Sequence, residues 1–176
     1  MLKIEHLTKV YSNGKKAVDD LSLMVEPGDI YGFIGANGAG KTSTIKSIVG
    51  IHDFDKGEIY ICGHSIRKEP LLCKKKMAFL PDNPDLYKNL TARQFLDFVA
   101  DIYRVSMEKR QAAIEKYSKM FELDTSLDQL ISAYSHGMKQ RLALIAALLH
   151  EPELLILDEP FVGLDPKGAY YFKQIM

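Results

Sequence analysis

Alternating apolar and polar positions run through about the first sixty residues of the chain. Leu2 to Tyr11, Ala17 to Val25 and Asp29 to Ile34 read as strands, separated by the turn signals Ser12-Asn13-Gly14 and Glu26-Pro27-Gly28. Gly40 to Val49 then reads as a helix ended by Gly50, and Gly57 to Cys62 as a further short strand. Lys76 to Leu80 has the look of a buried strand stopped by Pro81.

Beyond that proline the period changes. Thr91 followed three residues later by Gln94 forms a capping box, and Phe95, Val99 and Ile102 recur at helical spacing. Met107 to Phe121 continues as a second helix, so the chain from Asn83 to about Tyr134 is mainly helical. A helix opening near Gly137 carries Met138, Leu142, Ile145 and Leu149 on one face. Leu154 to Leu157 is a short, wholly apolar strand, the pattern of a parallel sheet covered on both faces. The expected fold class is α/β: an antiparallel N-terminal β part and a helical insert at residues 83–137, within one domain spanning residues 1–176.

Composition narrows the function classes. The 176 residues include 23 Lys plus Arg and 23 Asp plus Glu, a formal net charge of zero. That balance supplies no electrostatic footprint for nucleic acid or for an anionic membrane surface. The densest basic run, Lys74-Lys75-Lys76, reads as a solvated face. No apolar stretch approaches the roughly 20 residues that span a bilayer, and the N-terminus lacks a signal-peptide core. Work at a membrane would therefore go through a partner. Cys62 and Cys73 have no metal-ligand spacing and suit a reducing cytosol.

Gly35-Ala36-Asn37-Gly38-Ala39-Gly40-Lys41-Thr42 fits G-x-x-x-x-G-K-[ST], after a predicted strand and before a predicted helix. Glycines let the backbone wrap closely, so N–H groups can point at phosphate oxygens, and the helix start adds its positive dipole end. Lys41 would reach the β- and γ-phosphates, and the Thr42 hydroxyl would ligate Mg²⁺. The nucleotide site is thus expected to comprise residues Gly35 to Thr42, with Ser43 at its end.

A second element is the apolar run Leu154-Leu155-Ile156-Leu157, which ends in Asp158-Glu159. Ligands in open α/β sheets bind beyond the carboxyl ends of strands. Asp158 is expected to hold Mg²⁺, usually through water, and Glu159 to polarise the attacking water. Strand ends often carry solvated acids, and it is the phosphate cradle that gives this pair its catalytic reading. Together the two elements define a nucleoside-triphosphatase.

Tyr134-Ser135-His136-Gly137-Met138-Lys139-Gln140-Arg141, just upstream of the acidic strand, resembles the signature motif of ABC ATPases, usually LSGGQ followed by a basic stretch and QR. Gly163-Leu164-Asp165 is similar to that family's D-loop, and Tyr11 to the aromatic residue that stacks on adenine. These elements occur in the family's order over essentially the whole chain. The resemblance implies a P-loop core of ABC-ATPase type and a head-to-tail pair of such domains around two ATP molecules. Ser135 and Gly137 would contact the γ-phosphate bound by the opposite domain. It also implies a cytoplasmic ATPase lying at the inner face of the cell membrane, driving a separate permease, with ATP and Mg²⁺ as cofactors and no nucleic acid.

Three departures qualify the resemblance. His136 and Met138 replace the first glycine and the glutamine of the usual signature, in a Ser-x-Gly-Met form that resembles ATPases of ABC-2-type exporters. Asp82, after Phe79-Leu80-Pro81, stands where many relatives carry glutamine and could reach the Mg²⁺ shell. The family's switch histidine, on a strand beyond the D-loop, has no counterpart among His6, His52, His64, His136 and His150. The expectation is therefore a C-terminally truncated domain, with a gap or an unpaired inner edge where the family's next strand would lie. Two other readings compete with a transporter subunit: a soluble ABC ATPase acting on ribosomes or DNA, and a binding-only fragment with little turnover.

Overall fold

In a computed structural model, which describes residues 1–159 and Tyr170, the N-terminal alternation becomes a four-stranded antiparallel sheet. β1 (Leu2–Val10) lies between β2 (Lys16–Val25) and β3 (Lys56–Ile61), and β4 (His64–Ser65) extends β3. Leu2 and Ile4 enter the core at the two-residue period of a strand, but the next buried residue is Leu7. A register shift between Ile4 and Leu7, with His6 at φ 52°, absorbs the extra residue and returns Leu7 to the buried face. Gly57 sits against this irregularity: a Cβ there would lie 2.4 Å from the Glu5 carbonyl oxygen and 2.5 Å from that of His6. A glycine is therefore required where β3 begins.

The described residues form two compact units, Met1–Phe79 with Glu153–Ile156, and Leu80–Pro152 with Leu157 to Glu159. In the first, α1 (Lys41–Ile48) contributes Ile45 and Ile48 to a core shared with Leu2, Ile4, Leu7, Ile59 and Ile61 of the sheet. α2 (Pro70–Lys76) adds the buried Cys73. The periodicity of the sequence marks neither this helix nor β4; Pro70 at the first helical position is compatible with a helix start because its missing N–H has no intrahelical acceptor there.

The predicted strands at residues 76–80 and 154–157 form as β5 (Met77–Leu80) and β6 (Leu154–Leu157), which pair with each other. Glu153 N–H donates to the Lys76 carbonyl at 2.8 Å and Asp158 N–H to the Leu80 carbonyl at 2.9 Å. Both strands advance together between these bonds, so the pair is parallel. A Lys76–Glu153 ion pair at 2.5 Å fastens its start. Of the run Lys74-Lys75-Lys76, read as a solvated face, Lys74 and Lys75 are exposed, whereas Lys76 is half-buried and paired with Glu153.

The second unit contains α3 (Ala92–Ile102), α4 (Met107–Met120) and α5 (His136–Leu148), with short 3₁₀ turns at Asp124–Ser126 and Ile131–Ala133. The capping box forms as the sequence indicates: Thr91 Oγ1 accepts from Gln94 N–H at 3.2 Å, and Gln94 Oε1 accepts from Thr91 N–H at 2.9 Å. Arg110 of α4 bonds Asp97 and Asp101 of α3. Arg141 of α5 donates to the Phe121 carbonyl at 3.0 Å, closing the end of α4. No helix among the described residues is long and apolar enough to cross a membrane.

One predicted strand does not form. Residues 29–34 join no ladder, and Ile30 and Ile34 are 74% and 95% exposed. Apolar, β-prone residues favour an extended chain, but a strand exists only through its neighbours' hydrogen bonds. Among the described residues none supplies them.

Candidate functional site

The glycine loop Gly35–Thr42 rests on how α1 begins. Gly38 and Gly40 lie at φ 84° and 92°, left-handed values that only glycine adopts without strain. At Gly40 the constraint is also steric, because a Cβ would fall 2.1 Å from the Ala17 carbonyl oxygen at the start of β2. Gly40→Ala is expected to lower stability by at least about 2 kcal/mol, from left-handed strain plus that clash. A urea midpoint identical to wild type would contradict this geometry.

Gly40 caps α1 without any side-chain hydrogen bond, so the helix start is left to whatever approaches it. Lys41 Nζ folds over the loop, donating to the carbonyls of Gly35 at 2.5 Å and Ala36 at 3.0 Å. Residues Gly35 to Ala39 and Thr42 are exposed. The donors fit a phosphate chain: an ammonium held by neutral acceptors, an exposed threonine hydroxyl, and an uncapped helix N-terminus. Further along, Thr44 and Ser47 return their hydroxyls to the carbonyls of Gly40 and Ser43, both at 3.0 Å.

Tyr11 follows β1 in the same unit. Its N–H donates to the Lys15 carbonyl at 2.9 Å, and its own carbonyl accepts from Gly14 N–H at 2.8 Å, which closes the β1–β2 turn. The Tyr11 hydroxyl lies 2.9 Å from Ser43 Oγ. The His52 ring meets the tyrosine edge-on, with centroids 6.1 Å apart. Neither contact is visible in the sequence, since Tyr11, Ser43 and His52 belong to no common motif.

In the second unit, Asp158 and Glu159 follow β6 and Asp82 follows β5. The bond from Asp158 N–H to the Leu80 carbonyl sets the ends of the two parallel strands side by side. Asp82 and Asp158 thus leave the same, carboxyl end of one ladder. Glu159 adopts φ 50°, a left-handed conformation that costs a non-glycine residue about 1–2 kcal/mol. Glu159 and Asp82 are exposed and Asp158 is half-buried. Among the described residues no three His, Cys, Asp or Glu side chains gather as a metal cage. Mg²⁺ does not need one, as it keeps waters and binds through one or two carboxylates plus phosphate oxygens.

Ser135 caps α5, its Oγ accepting from Met138 N–H at 3.2 Å. Ser135 and His136 are exposed and Gly137 half-buried. Tyr134 anchors the approach to this cap by donating to the Ser126 carbonyl at 2.7 Å, and burial raises its phenol pKa above the ordinary value. The tyrosine therefore remains a neutral donor at physiological pH. Gln140, one turn into α5, is fully buried with neither amide atom bonded among the described residues. Gly163, Leu164 and Asp165 lie outside the described residues.

The family model described as ABC transporter matches residues 18–162. The bacitracin transport ATP-binding protein BcrA of Bacillus licheniformis is 40% identical over 176 residues, covering 100% of this chain and 56% of that protein. A solved ATP-binding subunit of an ABC transporter superimposes with a TM-score of 0.94 at 32% identity, over 99% of this chain and 72% of the other. The ATP-binding cassette MJ0796, a dimer in a post-hydrolysis state bound to ADP and Pi, gives a TM-score of 0.87 at 26% identity, over 99% and 81%. The chain spans about half the length of the curated relatives it matches.

Proposed function

We propose, from the premise that this chain belongs to the ABC transporter family, that it is the ATP-binding part of a transporter whose permease is a separate membrane protein. The observation that carries this reading is the cradle Gly35–Thr42, where Lys41 bends over an exposed glycine loop at an uncapped helix start. A triphosphate would replace the two neutral carbonyls around Lys41 Nζ with anionic oxygens, adding charge–charge attraction to these hydrogen bonds. Lys41 would then hold the β- and γ-phosphates and Thr42 a Mg²⁺ ion, with Asp158 and Asp82 as further Mg²⁺ ligands. Glu159 would orient and polarise the attacking water.

A second cassette would present its own Ser135 and Gly137 to the γ-phosphate. The dimeric, ADP- and Pi-bound cassette among the similar structures supports this pairing. Closure of two cassettes on ATP and reopening after hydrolysis would drive the permease from the cytoplasmic face of the membrane. The zero net charge favours this reading over a ribosome- or DNA-associated ATPase.

Affinity purification of the tagged protein from membranes solubilised in mild detergent tests the assignment. Recovery of a polytopic membrane protein, with Mg²⁺-dependent ATP binding by the purified chain, is the expected result. Recovery of ribosomes in its place would overturn it.

A further inference from the structure

We infer that Ser43 is a positioning residue for Tyr11: its hydroxyl ties the tyrosine to α1, so that the base-stacking ring and the phosphate-binding helix form one preset unit. The inference rests on the proposed ATP binding, in which Tyr11 stacks on adenine.

Four hydroxyl residues occupy α1, and the structure distributes them unequally. Thr44 and Ser47 bond the carbonyls four residues before them within their own helix. Thr42 is exposed at the helix start, beside Lys41. Ser43 alone among them reaches another element, its Oγ 2.9 Å from the Tyr11 hydroxyl. The two residues are 32 positions apart, and both are half-buried.

A second contact fixes the same pair of elements. The Ala17 carbonyl abuts Gly40 so closely that no Cβ would fit between them. The β1–β2 turn is thus held against the start of α1 at two points, one of backbone and one of side chains. Between them runs the Tyr11–Lys15 turn, closed by its own hydrogen bonds. The edge contact from His52 limits rotation of the ring on another side.

The consequence is preorganisation. A tyrosine on an exposed turn loses side-chain freedom when a base stacks on it, and that loss weakens binding. The Ser43 bond imposes the restriction beforehand, at a fixed distance from the loop that holds the phosphates. A nucleotide spanning both sites would then meet a ring already in place, whereas a bare phosphate chain would gain nothing from it.

Calorimetric titration with ATP and, separately, with inorganic triphosphate tests this on wild type, Tyr11→Phe, Ser43→Ala, the double variant and Ser43→Thr. Each single loss of hydroxyl is expected to weaken ATP binding about 3- to 10-fold, the range for one neutral hydrogen bond. The double variant should be no weaker than either single one. Ser43→Thr, which keeps the hydroxyl, should restore ATP affinity, and inorganic triphosphate should bind Tyr11→Phe within about twofold of wild type. Additive losses, wild-type ATP affinity in Tyr11→Phe, or an equal loss for inorganic triphosphate in Tyr11→Phe would overturn the inference while leaving ATP binding intact. A wild-type chain that binds neither ligand would overturn the proposed function, and this inference with it.

Discussion

Replacing Lys41 with alanine is expected to abolish measurable triphosphate binding, a loss of at least about 100-fold in affinity. Each hydrogen bond to a charged group contributes about 1.5–3 kcal/mol, and the lysine ammonium already lies against the loop's Gly35 and Ala36 carbonyls. Its present partners are the carbonyls of Gly35 and Ala36, so the substitution removes no buried ion pair. The fold should survive, and the unfolding free energy from urea titration should stay within about 0.5 kcal/mol of wild type, as for most substitutions outside the core. Titration with a fluorescent ATP analogue gives the affinity, and retained binding would remove Lys41 from the phosphate site.

Glu159→Gln should have the opposite signature. ATP affinity is expected within about twofold of wild type, while hydrolysis measured with a partner cassette present falls about 10²- to 10⁴-fold, the usual contribution of a positioned acid–base group. Glutamine keeps the shape of glutamate but loses the charge that polarises water. The side chain is exposed and belongs to no hydrogen-bonded ladder, so the substitution disturbs little else. Its backbone sits in a left-handed conformation just after β6, which the substitution leaves unchanged. Equal loss of binding and hydrolysis would contradict the division of labour between Lys41 and Glu159.

Much of this was legible along the chain. The cradle, the acidic strand end and the capped helix at Thr91 each depend on residues within eight positions of one another. Local backbone chemistry decides such features: a glycine that tolerates positive φ, a hydroxyl that reaches the N–H three residues on, a run of β-prone residues. The same locality explains why the reading failed at residues 29–34. Ile30, Tyr31, Phe33 and Ile34 carry strand propensity, yet propensity cannot supply the adjacent ladder, and the segment stays unpaired among the described residues.

The sequence alone determined the chemistry available to this protein: a lysine and a threonine at a glycine loop, two carboxylates after an apolar strand, and a serine at a helix start. It also placed the chain among the ABC ATPases, because short motifs in a fixed order are preserved in the linear text. Only the tertiary structure decided which of these groups meet. It set Tyr11 against Ser43 across 32 residues, wedged Gly40 under the Ala17 carbonyl, and brought the ends of β5 and β6 together through the bond from Asp158 to Leu80. Those contacts arise from chain packing and strand pairing between distant segments, whose partners no local pattern specifies.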